Sequence, residues 1–307
     1  MDKNTIKSNI SLLTAAMIWG LAFVAQSDGM NYVGPFTFCA VRCFLAVLFL
    51  LPLWLIISSR NKASRDKEKT KAVNKKTFVA GLACGTALFF ATASQQIGLQ
   101  YTTAGKAGFI TALYIVLVPV FSAVAFKKKA GIGVWISVAF AVVGLYLLCS
   151  PGGENSVSKG DLYLLACAFV FAVQILLVDK YAEEVDGILL SLVQFLVVMV
   201  LSAICMFIFN EEPSFEAISG AWLSLCYTGF LSSGVAYTLQ IVGQKYGKNP
   251  TVASLLMSME SVFAAIFGWL ILKERLSSGE LGGAMLMCCA IVLAQIPVPK
   301  KFGFSKQ

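Results

Sequence analysis

Uncharged or nearly uncharged apolar blocks alternate along this chain with short polar segments. From the N-terminus the blocks cover residues 10–26, 34–58, 77–99, 103–126, 131–149, 161–178, 187–209, 217–242, 250–272 and 279–296. A hydrocarbon core of roughly 30 Å is crossed by a helix of about 20 residues, which is the scale of these blocks. Strands of a transmembrane barrel would show runs of about ten residues with alternating polarity, whereas these blocks are apolar on every side. The pattern predicts an all-α integral membrane protein of ten transmembrane helices, with ends read to within a few residues.

Composition points to the same solvent, because 58% of the residues are hydrophobic and only 13% charged, where soluble domains carry about a quarter. The 24 Lys and Arg residues gather in alternate connections. With the N-terminus inside, Lys3, Lys7, the basic residues of segment 60–76, Lys127, Lys128, Lys129, Lys180, Lys245, Lys248, Lys300, Lys301 and Lys306 all fall on one side. That leaves Lys106, Lys159, Lys273 and Arg275 opposite and Arg42 within a span. Lys and Arg accumulate in cytoplasmic loops, so the expectation is a multi-pass protein of a bacterial plasma (inner) membrane with both termini cytoplasmic. The net charge of +8 reports this orientation and adds a weak attraction to membrane lipids with anionic headgroups. Segment 60–76 carries no aromatic residue beside its charges and reads as a solvated, topogenic loop, so no nucleic-acid partner is expected. The first block is long and lacks a small-x-small cleavage site, and is expected to be retained. The nine cysteines form no C-x-x-C pair and read as packing residues, with neither disulfides nor a metal site.

A polar loop, Ser150-Pro151-Gly152-Gly153-Glu154-Asn155, separates five blocks from five. The two halves, 1–150 and 151–307, resemble each other. Phe38-Cys39-Ala40-Val41-Arg42-Cys43-Phe44-Leu45 lines up with Leu190-Ser191-Leu192-Val193-Gln194-Phe195-Leu196-Val197, which sets Arg42 opposite Gln194. Pro119-Val120-Phe121-Ser122-Ala123 matches Ser261-Val262-Phe263-Ala264-Ala265, a register that leaves the first half about four residues shorter before its basic run. Because each half has an odd number of spans, the second is expected to be inverted relative to the first. Inverted repeats allow outward-open and inward-open states of similar energy, with substrate held near the midplane between them.

These residues resemble the drug/metabolite transporter superfamily, in particular its EamA-like members, over nearly the whole chain. The matching strings are Ile18-Trp19-Gly20-Leu21-Ala22-Phe23, then Gly98-Leu99-Gln100-Tyr101-Thr102-Thr103-Ala104-Gly105-Lys106-Ala107, and Glu260-Ser261-Val262-Phe263-Ala264-Ala265-Ile266-Phe267-Gly268-Trp269-Leu270 running to Lys273-Glu274-Arg275-Leu276. The resemblance implies two EamA-like five-helix repeats and export of amino acids or related metabolites. One departure is Ser261, which stands where the family often has proline and predicts a less kinked ninth span.

A charge near the bilayer centre costs roughly 2.5 kcal/mol or more unless it meets a partner or water, which makes Arg42 and Glu260 the leading candidates for the substrate and ion pathway. Counted from the block ends, Arg42 lies about 12 Å and Glu260 about 15 Å into the membrane from opposite sides, so they share a depth and are expected to face each other. Arg42 is suited to a carboxylate or phosphate, Glu260 to a proton or an amine; a structural ion pair is the alternative for both. Uncharged polar residues at membrane depth need hydrogen-bond partners and often line a path. Ser94, Gln95, Gln96, Thr111, Tyr114, Gln174, Gln194, Tyr237, Gln240 and Ser258 are of this kind, and Trp19 lies deep enough to be a cavity wall or gate. Gly81, Gly85 and Gly229 are expected to permit close helix approach.

With no histidine in the chain, metalloprotease and Ser–His chemistry are excluded. No phosphate-cradling G-x-x-x-x-G-K-[ST] loop is present, so energy for uphill movement has to come from a proton or sodium gradient or from exchange. The reading is a secondary transporter, not an enzyme, without cofactors, acting on a small-molecule substrate as monomer or homodimer. A passive facilitator and a lipid or polyprenyl-carrier flippase remain the alternatives.

Overall fold

In a computed structural model the described residues are 2–61, 67–102, 104–126, 131–149, 158–247, 249–272 and 278–295. The loop 150–155, the segment 273–276, Thr103 and the basic positions Lys62, Arg65, Lys127, Lys128, Lys129, Lys248, Lys273, Arg275, Lys300, Lys301 and Lys306 lie outside them. Among the described residues the chain is all-helical. The first half contains α1 (Lys3–Gly29), α2 (Pro35–Asn61), α3 (Lys67–Leu99), α4 (Ala104–Ala112), α5 (Tyr114–Phe126) and α6 (Ile132–Cys149). The second contains α7 (Lys159–Tyr181), α8 (Gly187–Ile208), α9 (Phe215–Gly220), α10 (Trp222–Cys226), a π-helical segment (Tyr227–Ala236), α11 (Tyr237–Gly247), α12 (Pro250–Met257), α13 (Glu260–Leu272) and α14 (Ser278–Gln295). Six stretches of the described residues are long and apolar enough to cross a membrane, and three shorter apolar helices lie within 132–147, 250–264 and 281–294. Large apolar side chains such as Val124, Leu162, Phe207 and Met285 cover the outer surface while Gln96, Gln194 and Ser191 are buried. That inverted polarity suits a lipid solvent.

The helices depart from the block pattern in three places. First, α3 begins at Lys67, so ten residues of the basic connection are helical rather than loop. Second, the block 217–242 is not one α-helix. Its centre widens into the π segment, where Gly229, Ser232, Ser233 and Gly234 carry no bulk to resist it. Thr228 and Thr238 at its two ends donate their hydroxyls to the carbonyls of Ser224 and Gly234, at 2.6 and 2.8 Å, and such back-bonding perturbs the ladder of a helix.

Third, the ninth block is broken despite lacking proline. The Ser258 hydroxyl bonds the Leu255 carbonyl at 2.8 Å, the acceptor that the Met259 N–H would use in a regular helix. Met259 N–H turns to Leu256 instead, at 3.3 Å, and α12 ends before α13 begins. The first half has the matching break at Leu113, again with three-residue backbone bonds on either side. Both α5 and α13 are 13 residues long. Aligning the breaks therefore pairs Tyr114 with Glu260 and Pro119 with Ala265, and the four-residue shortfall implied by the Pro119–Ser261 match disappears.

Exchanging the halves, with α1 for α7, α2 for α8, α3 for the π segment and α11, α4–α5 for α12–α13 and α6 for α14, reproduces the main packing pairs. Helix α1 packs on α11 as α7 packs on α3, α2 packs on the π segment as α8 packs on α3, and α2 on α8 and α6 on α14 are self-paired. Two glycines fix the register. A Cβ on Gly85 would sit 2.8 Å from Val197 Cβ and 3.0 Å from the Gln194 backbone, and one on Gly229 would sit 2.7 Å from Leu45 Cβ and 2.9 Å from the Arg42 carbonyl. Arg42 and Gln194 thus occupy equivalent places, each at a backbone contact that only glycine admits.

The connections gather at two ends of the bundle. At one, Lys76 pairs with Glu184, the Asp186 N–H donates to Thr77 at 3.2 Å, and Ser8 donates to the Gly243 carbonyl at 2.7 Å. At the other, Ser224 donates to Asp28 at 2.8 Å and Glu211 receives the N–H groups of Phe36 and Thr37 at 3.1 and 2.7 Å.

Candidate functional site

Between the halves lies a cavity whose empty space, about 450 Å³, includes its open mouth, walled by residues of α1, α3, α4, α5, α7, α11, α12 and α13. The breaks at Leu113 and Ser258 put helix ends at its wall, so Tyr114 and Glu260, the first residues of α5 and α13, both point there. The Tyr114 hydroxyl donates to Glu260 Oε1 at 3.2 Å. This bond joins equivalent positions of the two halves.

Of the residues singled out in the sequence, Trp19, Gln95, Thr111, Tyr114, Gln174, Tyr237, Gln240 and Glu260 line the cavity. Trp19 donates to the Ser232 carbonyl in the π segment at 3.3 Å and its ring meets Tyr237 edge-on at 4.9 Å, so its place is a packed wall. Gln240 donates to Gln174 at 3.2 Å, and Gln174 donates to Gln194 at 3.1 Å. Gln194 is therefore one layer behind the surface. Gln96 is buried away from the cavity and donates to the Met30 sulfur at 3.4 Å, and Ser258 serves the break described above rather than the wall.

The expected meeting of Arg42 and Glu260 does not occur. One ion pair of the described residues, Lys76–Glu184, lies at the bundle's end and is half exposed. Arg42, only 3% exposed, donates instead to Gln26 Oε1 at 2.8 Å. Similar depth left the azimuth of each helix open, and the α2–π contact at Gly229 turns Arg42 toward α1. Sequence reasoning missed Gln26, which lines the cavity; it is the last residue of the apolar block 10–26 and is followed by the polar Ser27 and Asp28, yet α1 runs on to Gly29. Phe23, Phe171, Ile175 and Met257 complete the apolar part of the wall, and nothing in an apolar sequence marks which such residues will face a void. Among the described residues no cluster of His, Cys, Asp or Glu could hold a metal ion.

Fold and site together define a polytopic helical membrane protein built around a central, partly open pocket with polar and aromatic walls. A profile of the EamA-like transporter family matches residues 6–150 and again 158–295. The chain is 31% identical to an uncharacterized transporter of Archaeoglobus fulgidus over 95% of its own length and 86% of that protein. It is 25% identical to the uncharacterized transporter YoaV of Bacillus subtilis, over 94% and 96%, and 26% identical to a chloroplastic WAT1-related protein of Arabidopsis thaliana, over 93% and 69%. A crystal structure of another protein superposes with a TM-score of 0.75 at 18% identity, covering 94% of this chain and 96% of that one; this likeness concerns the fold. The chain belongs to the EamA-like transporter family, within the drug/metabolite transporter superfamily.

Proposed function

We propose that this protein is a secondary transporter that exports a small polar or amphiphilic metabolite, an amino acid or related compound, by proton-coupled alternating access. In this reading the chain crosses a bacterial plasma membrane ten times, in two inverted five-helix repeats, 1–150 and 151–307, with both termini cytoplasmic. The cavity is the substrate site. The observation that carries the reading is the Tyr114–Glu260 bond: a carboxyl at the cavity wall, held by one donor from the equivalent position of the opposite half. A proton or substrate arriving at Glu260 changes the contact that joins the halves, which is the coupling that alternating access requires.

The test is uptake of pooled amino acids and other metabolites into proteoliposomes, with and without an imposed pH gradient, for wild type and Glu260→Gln. Gradient-driven accumulation lost in Glu260→Gln is the expected result. Equilibration that ignores the gradient in both proteins would make the protein a passive facilitator and Glu260 a structural residue.

A further inference from the structure

We propose that Arg42 is the anion-recognition residue of this cavity, that Gln26 screens it between binding events, and that the carboxylate of an arriving metabolite displaces the Gln26 amide to reach the guanidinium. The inference rests on the transporter reading and adds the chemistry of one end of the ligand.

Arg42 is an uncompensated cation. It is almost wholly buried, its Nε has no partner, its protein acceptor is the neutral Gln26 oxygen, and no carboxylate of the described residues lies within ion-pair distance. A guanidinium taken out of water with only neutral neighbours, the Gln26 amide and the Cys43 thiol, is costly, and proteins keep such a group where a counter-charge arrives. Gln26 separates it from the cavity by a single side chain. That side chain lines the cavity, is anchored through Nε2 to the Ala22 carbonyl at 3.1 Å, and presents its oxygen to Arg42. Rotation of one flexible amide opens the path.

The opposite half shows what the frame alone needs. There a cavity-lining glutamine, Gln174, is bonded to the residue behind it, Gln194, which occupies Arg42's register as fixed by the Gly85 and Gly229 contacts. An amide therefore suffices for packing at this place. A cation at only one of two equivalent positions makes the cavity electrically one-sided, with the guanidinium behind α1 and the Glu260 carboxyl on α13. The planar fork of arginine matches the two oxygens of a carboxylate.

The test uses purified protein in detergent and a panel of amino acids, each beside its own carboxamide, with inorganic phosphate as a second anion. Melting temperature is read for wild type, Arg42→Gln, which copies Gln194, and Gln26→Leu. At least one acid should stabilise wild type while its carboxamide does not, and Arg42→Gln should lose that difference. Gln26→Leu, relieved of the competing amide, should bind the acid about tenfold tighter, or ~1.4 kcal/mol. Equal response to acid and carboxamide, discrimination that survives in Arg42→Gln, or a response to phosphate alone would overturn the proposal. A purely structural Arg42 would lower the melting temperature without changing the acid-to-carboxamide ratio, and Gln26→Leu would then weaken rather than tighten binding. Should Arg42→Gln fail to fold, the Gln26→Leu affinity decides. Transport in proteoliposomes with no acid–carboxamide discrimination sinks this subsite and spares the transporter reading; discrimination without transport of any solute does the reverse.

Discussion

Tyr114 and Glu260 meet because each opens a helix after a break, and their bond is a single contact with a measurable worth. Tyr114→Phe keeps the ring and removes the donor, so the fold should persist with a loss of about 1 kcal/mol in a detergent melt. Uptake should fall more than that stability change explains, since Glu260 loses its protein donor. A Tyr114→Phe protein that transports at the wild-type rate would leave the bond without a role in coupling. The glycines at the half-to-half contacts are less forgiving. At Gly229 a side chain would have to displace both Leu45 and the Arg42 carbonyl, one of them backbone. Gly229→Val is expected to cost about 1–3 kcal/mol or more, visible as a lowered melting temperature and reduced folded yield.

At the scale of elements, what starts and stops the helices is borrowed from elsewhere in the chain. Helix α2 begins with Pro35 after Gly34, which has no side chain to cap it, and Glu211 from the α8–α9 connection supplies the carboxylate to the Phe36 and Thr37 N–H groups and to the Thr37 hydroxyl at 2.8 Å. The chain reaches that place because Asn210, two residues past the end of α8, is left-handed with φ 53°, and the Glu211 N–H bonds back to the Met206 carbonyl at 2.9 Å. Glu211→Ala should destabilise the fold by about 1–2 kcal/mol, measured by thermal unfolding. The break before α13 yields a second prediction. In Ser258→Ala the Leu255 carbonyl is free for Met259 N–H, so amide exchange at Met259 should slow as the two helices approach one; unchanged exchange would mean that packing, not the hydroxyl, makes the break.

On the scale of the whole molecule, the proposed inverted repeat places the Lys76–Glu184 end inside and the Asp28–Glu211 end outside. In a cysteine-free background, Glu212→Cys should react with an impermeant maleimide on intact cells and Glu183→Cys only after permeabilisation; both positions are exposed. The opposite pattern would reverse the orientation, and labelling of both from one side would remove the membrane crossing between them.

Much of this architecture was legible before any coordinates. Block length and composition dictate lipid as the solvent and helix as the form, since the backbone has no other way to satisfy its polar groups there. The cavity-lining residues Trp19, Gln95, Thr111, Tyr114, Gln174, Tyr237, Gln240 and Glu260 were recognisable for a related reason: polar or amphipathic groups at membrane depth must face something other than lipid. Which of them share one wall was not legible, and Gln96, Gln194 and Ser258 show it, being polar at the same depths yet committed to other partners. Arg42 carries the same lesson, because depth follows from counting residues whereas azimuth follows from Gly229 meeting a helix nearly 190 positions earlier. What the chain decided by itself was local and additive, namely solvent, helical form and the bias of its charges. The tertiary structure alone decided the breaks, the register of the halves and the company each buried polar group keeps, because those depend on contacts between residues that only packing brings together.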